Sequence, residues 1–195
     1  MRKAKVQRKT NETDILVELN LDGSGRCDIA TGIGFFDHML NHLAFHGLLD
    51  LSLKAAGDLD VDAHHTIEDC ALALGQAFDQ ALDNRSGISR VGSAFVPMDE
   101  TLAQVVLDFS GRPYWIFLAE WNTPMLGSLP SEMIEHFFQS FAAAARATIH
   151  ARVLYGNNDH HKAEALYKAL GRAVRQAVQL DNRRGQAVPS TKGVL

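Results

Sequence analysis

Apolar and polar residues alternate from Val6 to Thr10 and again from Ile15 to Leu21, the two-residue period of half-buried strands. Leu21-Asp22-Gly23-Ser24-Gly25 has the composition of a hairpin turn, which makes Arg26 to Ala30 the returning strand. After Thr31-Gly32-Ile33-Gly34 the period changes. Phe36, Met39, Leu40 and Leu43 fall at helical spacing, and Gly47 stands where a helix takes its C′ residue. A strand follows at Leu48 to Lys54 and a loop at Gly57 to Ala63. A long helix then runs from His64 to Leu82 and closes on Asp83-Asn84-Arg85-Ser86-Gly87. The remainder repeats this order. Strands are predicted at Ser93 to Pro97, Leu102 to Phe109 and Tyr114 to Glu120, with Gly111-Arg112-Pro113 as the turn between the last two. A loop over Asn122 to Leu129 leads to a helix from Glu132 to Ile149, with Ser131 as its N-cap. A strand at Ala151 to Tyr155, a turn at Gly156-Asn157-Asn158 and a helix from Asp159 to Leu180 complete the chain.

The repetition extends to individual residues. His64-His65-Thr66-Ile67-Glu68 is answered by His160-His161-Lys162-Ala163-Glu164, and Ala73-Leu74-Gly75 by Ala169-Leu170-Gly171, both 96 positions later. Asp83-Asn84-Arg85 returns as Asp181-Asn182-Arg183, and His38 has its counterpart in His136. An internal duplication is the simplest account. Each half reads as strands, a helix with one histidine, a strand, and a helix opening on HHxxE. That order predicts an α/β two-layer sandwich (α+β) made twice, over residues 1–92 and 93–195, with no linker between the halves.

Composition narrows the picture. The 195 residues are 46% hydrophobic and 22% charged, ordinary for a globular protein, and a net charge of -4 offers no general attraction to nucleic acid. Cys27 and Cys70 form neither a CxxC pair nor a disulfide framework, which points to a reducing compartment. The charged start, Met1-Arg2-Lys3-Ala4-Lys5, is followed by no apolar segment, and no run approaches the roughly 20 residues of a membrane span. A cytoplasmic protein without membrane association is expected.

The chemistry lies in the histidines. Residues four apart share a helix face while neighbours diverge by about 100°. His64 and Glu68 can therefore close on one cation while His65 aims elsewhere, and His160, Glu164 and His161 can do the same. A lone HHxxE is usually a solvated helix start, but two matched copies on two matched helices argue for metal. With His38 and His136 the set holds six imidazoles, two carboxylates and no thiolate, which suits a first-row divalent ion better than a structural zinc. Eight ligands exceed the needs of one ion. Two ions with open positions, hence catalytic ions, are the economical count. Asp37 and Asp69 could orient an imidazole or cap a helix. His42 and His46 read as ordinary helix positions. Arg90, Arg112, Ser190 and Lys192 lie in loops, and Pro189-Ser190-Thr191-Lys192-Gly193 offers hydroxyls, amides and a cation to a phosphate.

Six motifs in order carry a resemblance: Arg8-Lys9-Thr10-Asn11-Glu12-Thr13, Phe36-Asp37-His38-Met39-Leu40, His64-His65-Thr66-Ile67-Glu68-Asp69, Ser110-Gly111-Arg112-Pro113-Tyr114, Glu135-His136-Phe137-Phe138 and Pro189-Ser190-Thr191-Lys192-Gly193. From about residue 5 onward the chain resembles the imidazoleglycerol-phosphate dehydratases, in their monofunctional form. Phe36, Tyr167 and Ala63 depart from the residues common there, and none of them is a candidate ligand. The resemblance implies ribosomal-S5-domain-2-like halves, a homo-oligomer of 24 subunits, and two Mn2+ ions per active site at subunit contacts. Carried over by position, His38, His64, His65, Glu68, His136, His160, His161 and Glu164 would hold metal. Arg90, Arg112, Ser190 and Lys192 would hold phosphate, and Glu12 and Lys168 would face the glycerol chain as catalytic residues. The implied reaction removes water from D-erythro-imidazoleglycerol phosphate to give imidazole acetol phosphate in histidine biosynthesis. No carbonyl neighbours the departing proton, so the imidazole ring, with cations on its nitrogens, must assist the elimination; Glu12 is the candidate base. Two other readings compete. Asp159-His160-His161 matches the DHH signature of two-metal phosphoesterases, and an S5-like RNA-binding module or metal-storage shell would need no catalysis.

Overall fold

A computed structural model describes residues 2–195. The first half contains β1 (Lys3–Lys9), β2 (Thr13–Asn20), β3 (Cys27–Ala30), α1 (Gly34–Gly47), β4 (Asp50–Gly57) and α2 (His64–Leu82). Its sheet has the order β1-β2-β4-β3, antiparallel except for the parallel β4–β3 pair. The second half contains β5 (Val91–Met98), β6 (Thr101–Asp108), β7 (Tyr114–Leu118), a short ribbon of β8 (Met125–Leu126) and β9 (Leu129–Pro130), α3 (Glu132–Ala144), β10 (Thr148–Tyr155) and α4 (Asp159–Val178). Its sheet, β5-β6-β10-β7, repeats the first with the same strand directions. The duplicated two-layer sandwich read from the periodicity is the observed fold. None of the helices among the described residues is long and apolar enough to cross a membrane.

Four local expectations fail. Leu21 to Gly25 does not make a hairpin: β3 lies beyond β4 and runs parallel to it. The loop is instead pinned by Asp50, whose Oδ1 accepts from the Ser24 and Arg26 amides at 2.8 and 3.2 Å while Oδ2 accepts from the Arg26 guanidinium at 2.7 Å. Arg26 foremost, then those amides, hold the Asp50 carboxyl below the usual range. The helix expected from Glu132 to Ile149 stops at Ala144, and Thr148 and Ile149 begin β10. Ile149 and Ala151 are needed in the core beneath β6, and β-branched residues fit that pleat. Ser131 makes no side-chain cap, and Leu48 rather than Gly47 takes the left-handed turn after α1, with φ 52°. Gly47 serves packing: a Cβ there would meet Leu49 and the Gly171 carbonyl.

Ile15, Val17 and Leu19 with Leu51 and Leu53 line the inner face of the first sheet, and Ala103, Val105 and Leu107 with Ile149 and Ala151 line that of the second. Between the sheets the helices pack across the duplication, α1 on α4 and α2 on α3. The crossings are closed by repeated glycines. A Cβ on Gly75 would lie 2.7 Å from the Ala144 Cβ and 2.9 Å from the Phe141 carbonyl oxygen, and one on Gly171 would lie 2.5 Å from the Leu43 carbonyl oxygen. Phe36, Phe137, Phe138, Phe141 and Tyr167 fill the space alongside, fully buried. The Tyr167 hydroxyl finds no partner there, so the site treats this residue as a phenylalanine. The contact at Gly171 involves backbone, which cannot turn aside, so Gly171→Ala should destabilise the chain by about 1–3 kcal/mol, the usual range for overpacking. Denaturant unfolding of the variant measures this, and unchanged stability would mean that the crossing is not tight.

Candidate metal centres and anion pocket

The helix crossings set imidazoles of one half against carboxylates of the other. At the α1–α4 contact His38 from the first half meets His160 and Glu164 from the second. Their ligand atoms lie within 4.8 Å of one another, with His38 Nε2 at 3.2 Å and His160 Nε2 at 3.1 Å from Glu164 Oε2. At the α2–α3 contact His64 and Glu68 meet His136 in the same way, with His136 Nε2 3.4 Å from Glu68 Oε1. The histidine and glutamate four apart on each helix thus converge, as their spacing implies, and the third donor comes from the opposite half.

The second histidine of each pair points away. His65 Nδ1 lies 3.0 Å from Asp58 Oδ2 and 3.7 Å from Glu12 Oε2, which makes a third group with ligand atoms within 4.8 Å. His161 Nδ1 lies 2.7 Å from Glu100 Oε2. The Asp58 carboxylate raises the pKa of His65, and Glu100 is pushed below the carboxylate range by His161 first and then by the Asn158 and Asn157 amides. Both helices start on a side-chain acceptor two residues ahead of the motif. Asn158 Oδ1 takes the His160 and His161 amides, and Asp62 Oδ1 takes that of His64 at 2.7 Å, which anchors the first turn where the imidazoles project.

Electrostatics differ between the centres. Burial alone would raise Glu164, but the Lys168 ammonium, 2.5 Å from Oε1, together with His42 and His160, holds its carboxyl down at about 2. His42, one turn after His38, has Nε2 at 3.2 Å from both His38 Nε2 and Glu164 Oε1. Burial lowers its own pKa to about 4, so the ring is neutral at pH 7. It is no ordinary surface position, and its spacing from His38 was the signal available. Asp37 and Asp69 orient no imidazole. Asp37 Oδ1 accepts from the Thr31 amide and hydroxyl, and Asp69 ties Arg8 and Thr13 to α2. Asp159 is buried and accepts from the Asn122 and Thr123 amides and from Lys162, so the DHH match supplies no free carboxylate.

The donor chemistry suits a divalent ion. Four imidazoles and two carboxylates converge in the two centres without a thiolate, and the buried Nε2 of His136 has no hydrogen-bond partner, as a nitrogen awaiting a cation would.

Arg90, Arg112, Ser190 and Lys192 are brought together. With Arg184, Val188, Pro189, Thr191 and Val194 they line a cavity of about 630 Å³ at the C-terminal segment. Arg184 was not foreseen, since nothing local distinguishes it from its neighbour Arg183. Arg90 is clamped by Asp108, with Nε and Nη2 at 2.6 and 2.9 Å from its two carboxylate oxygens, and Nη1 donates to the Pro189 carbonyl. This cavity is remote from both centres. Arg90 N–H donates to the Ala177 carbonyl, thirteen residues beyond Glu164 and so about 20 Å further along α4. Gly87 likewise donates to Ala187 just past the end of α2, and Glu68 lies at the start of that helix.

Comparison with known proteins gives the family. The family model of imidazoleglycerol-phosphate dehydratase matches residues 31–174. Proteins of that name from Roseiflexus sp. (strain RS-1) and Erythrobacter litoralis (strain HTCC2594) are 57% identical over 194 residues and 54% identical over 195. These alignments span all of this chain and 98% and 99% of the relatives. The crystal structure of imidazoleglycerol-phosphate dehydratase from Staphylococcus aureus subsp. aureus N315 superposes with a TM-score of 0.83 at 35% identity, covering 92% of this chain and 99% of that one. The enzyme from Pyrococcus furiosus gives 0.83 and 35%, over 97% and 100%. With two imidazole–carboxylate centres on a duplicated sandwich and a full-length match at this identity, the chain belongs to the imidazoleglycerol-phosphate dehydratase family.

Proposed function

We propose that the chain is a manganese-dependent hydro-lyase that removes water from D-erythro-imidazoleglycerol phosphate in histidine biosynthesis, at sites completed between copies of a 24-subunit cytoplasmic homo-oligomer. Family membership supports the reaction. The observation that carries the rest is the convergence of Arg90, Arg112, Ser190 and Lys192 on one cavity, although more than a hundred positions separate the first from the last. Three guanidinium groups and an ammonium with hydroxyls and turn amides are phosphate chemistry. The imidazole–carboxylate centres are ring-nitrogen and divalent-ion chemistry.

The roles follow from placement. His38, His160 and Glu164, and His64, Glu68 and His136, would each hold an ion; His65 and His161, turned outward, would reach ions shared with a neighbouring copy. When bound, the ions supply Lewis acidity to the substrate ring. Glu12 is exposed beside His65 at the same end of the molecule, so its carboxylate can accept the proton that leaves carbon. Lys168 lies one turn after Glu164, where its ammonium can turn from that carboxylate toward the hydroxylated chain. The phosphate cavity holds the far end of the substrate and so fixes the reacting carbons against Glu12. A substrate of one ring and three further carbons spans roughly half of the 20 Å between centre and cavity in one chain. Metal end and phosphate end must therefore come from different copies.

Glu68→Gln and Glu164→Gln should each lose bound metal and most turnover while staying folded; elemental analysis beside a rate assay checks both, and full activity with normal metal content in either would refute the two-centre reading. Arg112→Ala should weaken a phosphate-bearing substrate analogue about 10- to 150-fold, the worth of one charge-assisted hydrogen bond, and calorimetric titration reads it directly. The shared site has its own check. Reassembling Glu164→Gln with Arg112→Ala from separated subunits should recover activity that neither has alone, because some sites then combine an intact metal end with an intact phosphate end. No recovery in mixed particles of confirmed composition would mean that each chain contains a whole site.

A further inference from the structure

The pseudo-symmetry of the halves breaks at the metal centres. One turn after His38 stands His42; one turn after its counterpart His136 stands Ser140, which is buried and too short to reach an ion held by the imidazole before it. We propose that His42 is a further protein ligand at the α1–α4 centre, so that the two metal centres of each chain are unequal. The inference rests on reading His38, His160 and Glu164 as an ion-binding set.

Distances support a ligand role. Two donors each about 2.1 Å from one ion, at angles of roughly 90–110°, stand about 3.0–3.4 Å apart. His38 to Glu164 at 3.2 Å and His160 to Glu164 at 3.1 Å fall in that range, and so does His42 Nε2, at 3.2 Å from both His38 Nε2 and Glu164 Oε1. The spacing of His42 from His38 is the same one-turn spacing that joins His160 to Glu164, and it places both rings on the face of α1 that meets α4. The His42 ring is also held in place, edge-on to His38 with centroids 4.4 Å apart and stacked on His46 at 5.8 Å. His42 lies outside the set whose ligand atoms all fall within 4.8 Å of one another, so His160, a more exposed ring than His42, shifts to share the ion with it.

The chemistry gives the extra donor a purpose. Lys168 touches Glu164 Oε1 at 2.5 Å, and its ammonium repels a divalent ion; the position matching Lys168 in α2 is Leu72. A neutral imidazole adds coordination at the centre whose carboxylate is shared with a cation. One imidazole more than at the α2–α3 centre also favours borderline ions such as Co2+ or Zn2+ at this centre.

The test is titration of metal-free, assembled protein with Mn2+ and with Co2+, followed by calorimetry and by the visible Co2+ spectrum. Wild-type protein should show two affinity classes, with Co2+ preferred at one. In His42→Gln and His42→Ala one class should weaken at least about tenfold, with a changed Co2+ spectrum at saturation, while the other class stays as it was. Two unchanged classes would overturn the proposal. So would weaker binding with an unaltered spectrum, since His42 would then only hold Glu164 in position. Pulsed EPR of wild-type and His42→Gln protein carrying Mn2+ counts bound imidazoles, and an equal count in the two proteins at both centres would also overturn it. Failure of wild-type protein to bind either metal would instead remove the ion-binding reading beneath the proposal.

Discussion

Everything distinctive about this chain depends on how closely helices of opposite halves approach each other. Gly75 and Gly171 occupy matching positions in α2 and α4, and each leaves no room for a Cβ against the backbone of the helix it crosses. That approach, two turns beyond each HHxxE motif, sets the spacing at which His136 meets Glu68 and His38 meets Glu164. Widened by a side chain, the same helices would keep their apolar contacts but carry their imidazoles beyond the reach of a shared ion. The glycines act on the candidate centres through distance alone. The aromatic cluster of Phe36, Phe137, Phe141 and Tyr167 fills the flanks and keeps the crossing rigid.

A second consequence comes from helix length. α2 and α4 carry metal-type donors at their N-terminal ends, and the arginine- and lysine-lined cavity lies past their C-terminal ends. A stiff helix of about twenty residues holds those two chemistries far apart, at a separation that side-chain motion cannot close. On the function proposed above, the fold presents two half-sites, and assembly would be part of the chemistry rather than an addition to it. The outward-turned imidazoles of His65 and His161, each matched with a carboxylate from a loop or turn, lie at the end where such a contact would form.

Duplication explains why there are two centres, and divergence explains why they differ. Asp62 and Asn158 preserve the same helix-start acceptor in both halves, because the first turn needs its amides satisfied wherever the motif occurs. Lys168 and His42 have no such partners in the other half, and they surround the more buried glutamate, Glu164. A buried carboxylate requires a counter-charge, whereas the half-exposed Glu68 is partly solvated. The two centres share a plan but not an electrostatic environment.

Periodicity alone determined the element order, the duplicated sandwich and the one-turn pairing of His64 with Glu68 and His160 with Glu164, because the direction of a side chain on a helix or strand is a local property. The residues proposed for phosphate were legible as candidate chemistry, through the loop Pro189-Ser190-Thr191-Lys192-Gly193, but not as a place. Only the tertiary structure decided that β3 would pair in parallel beyond β4, that β10 would take Thr148 and Ile149 from the expected helix, and that His42 would reach Glu164. It alone matched His65 with Asp58 and His161 with Glu100, and set the cavity some 20 Å from the metal donors. These are contacts between residues far apart in the chain, and no spacing encodes them. They follow from which apolar faces pack together, and that is settled by the whole core at once.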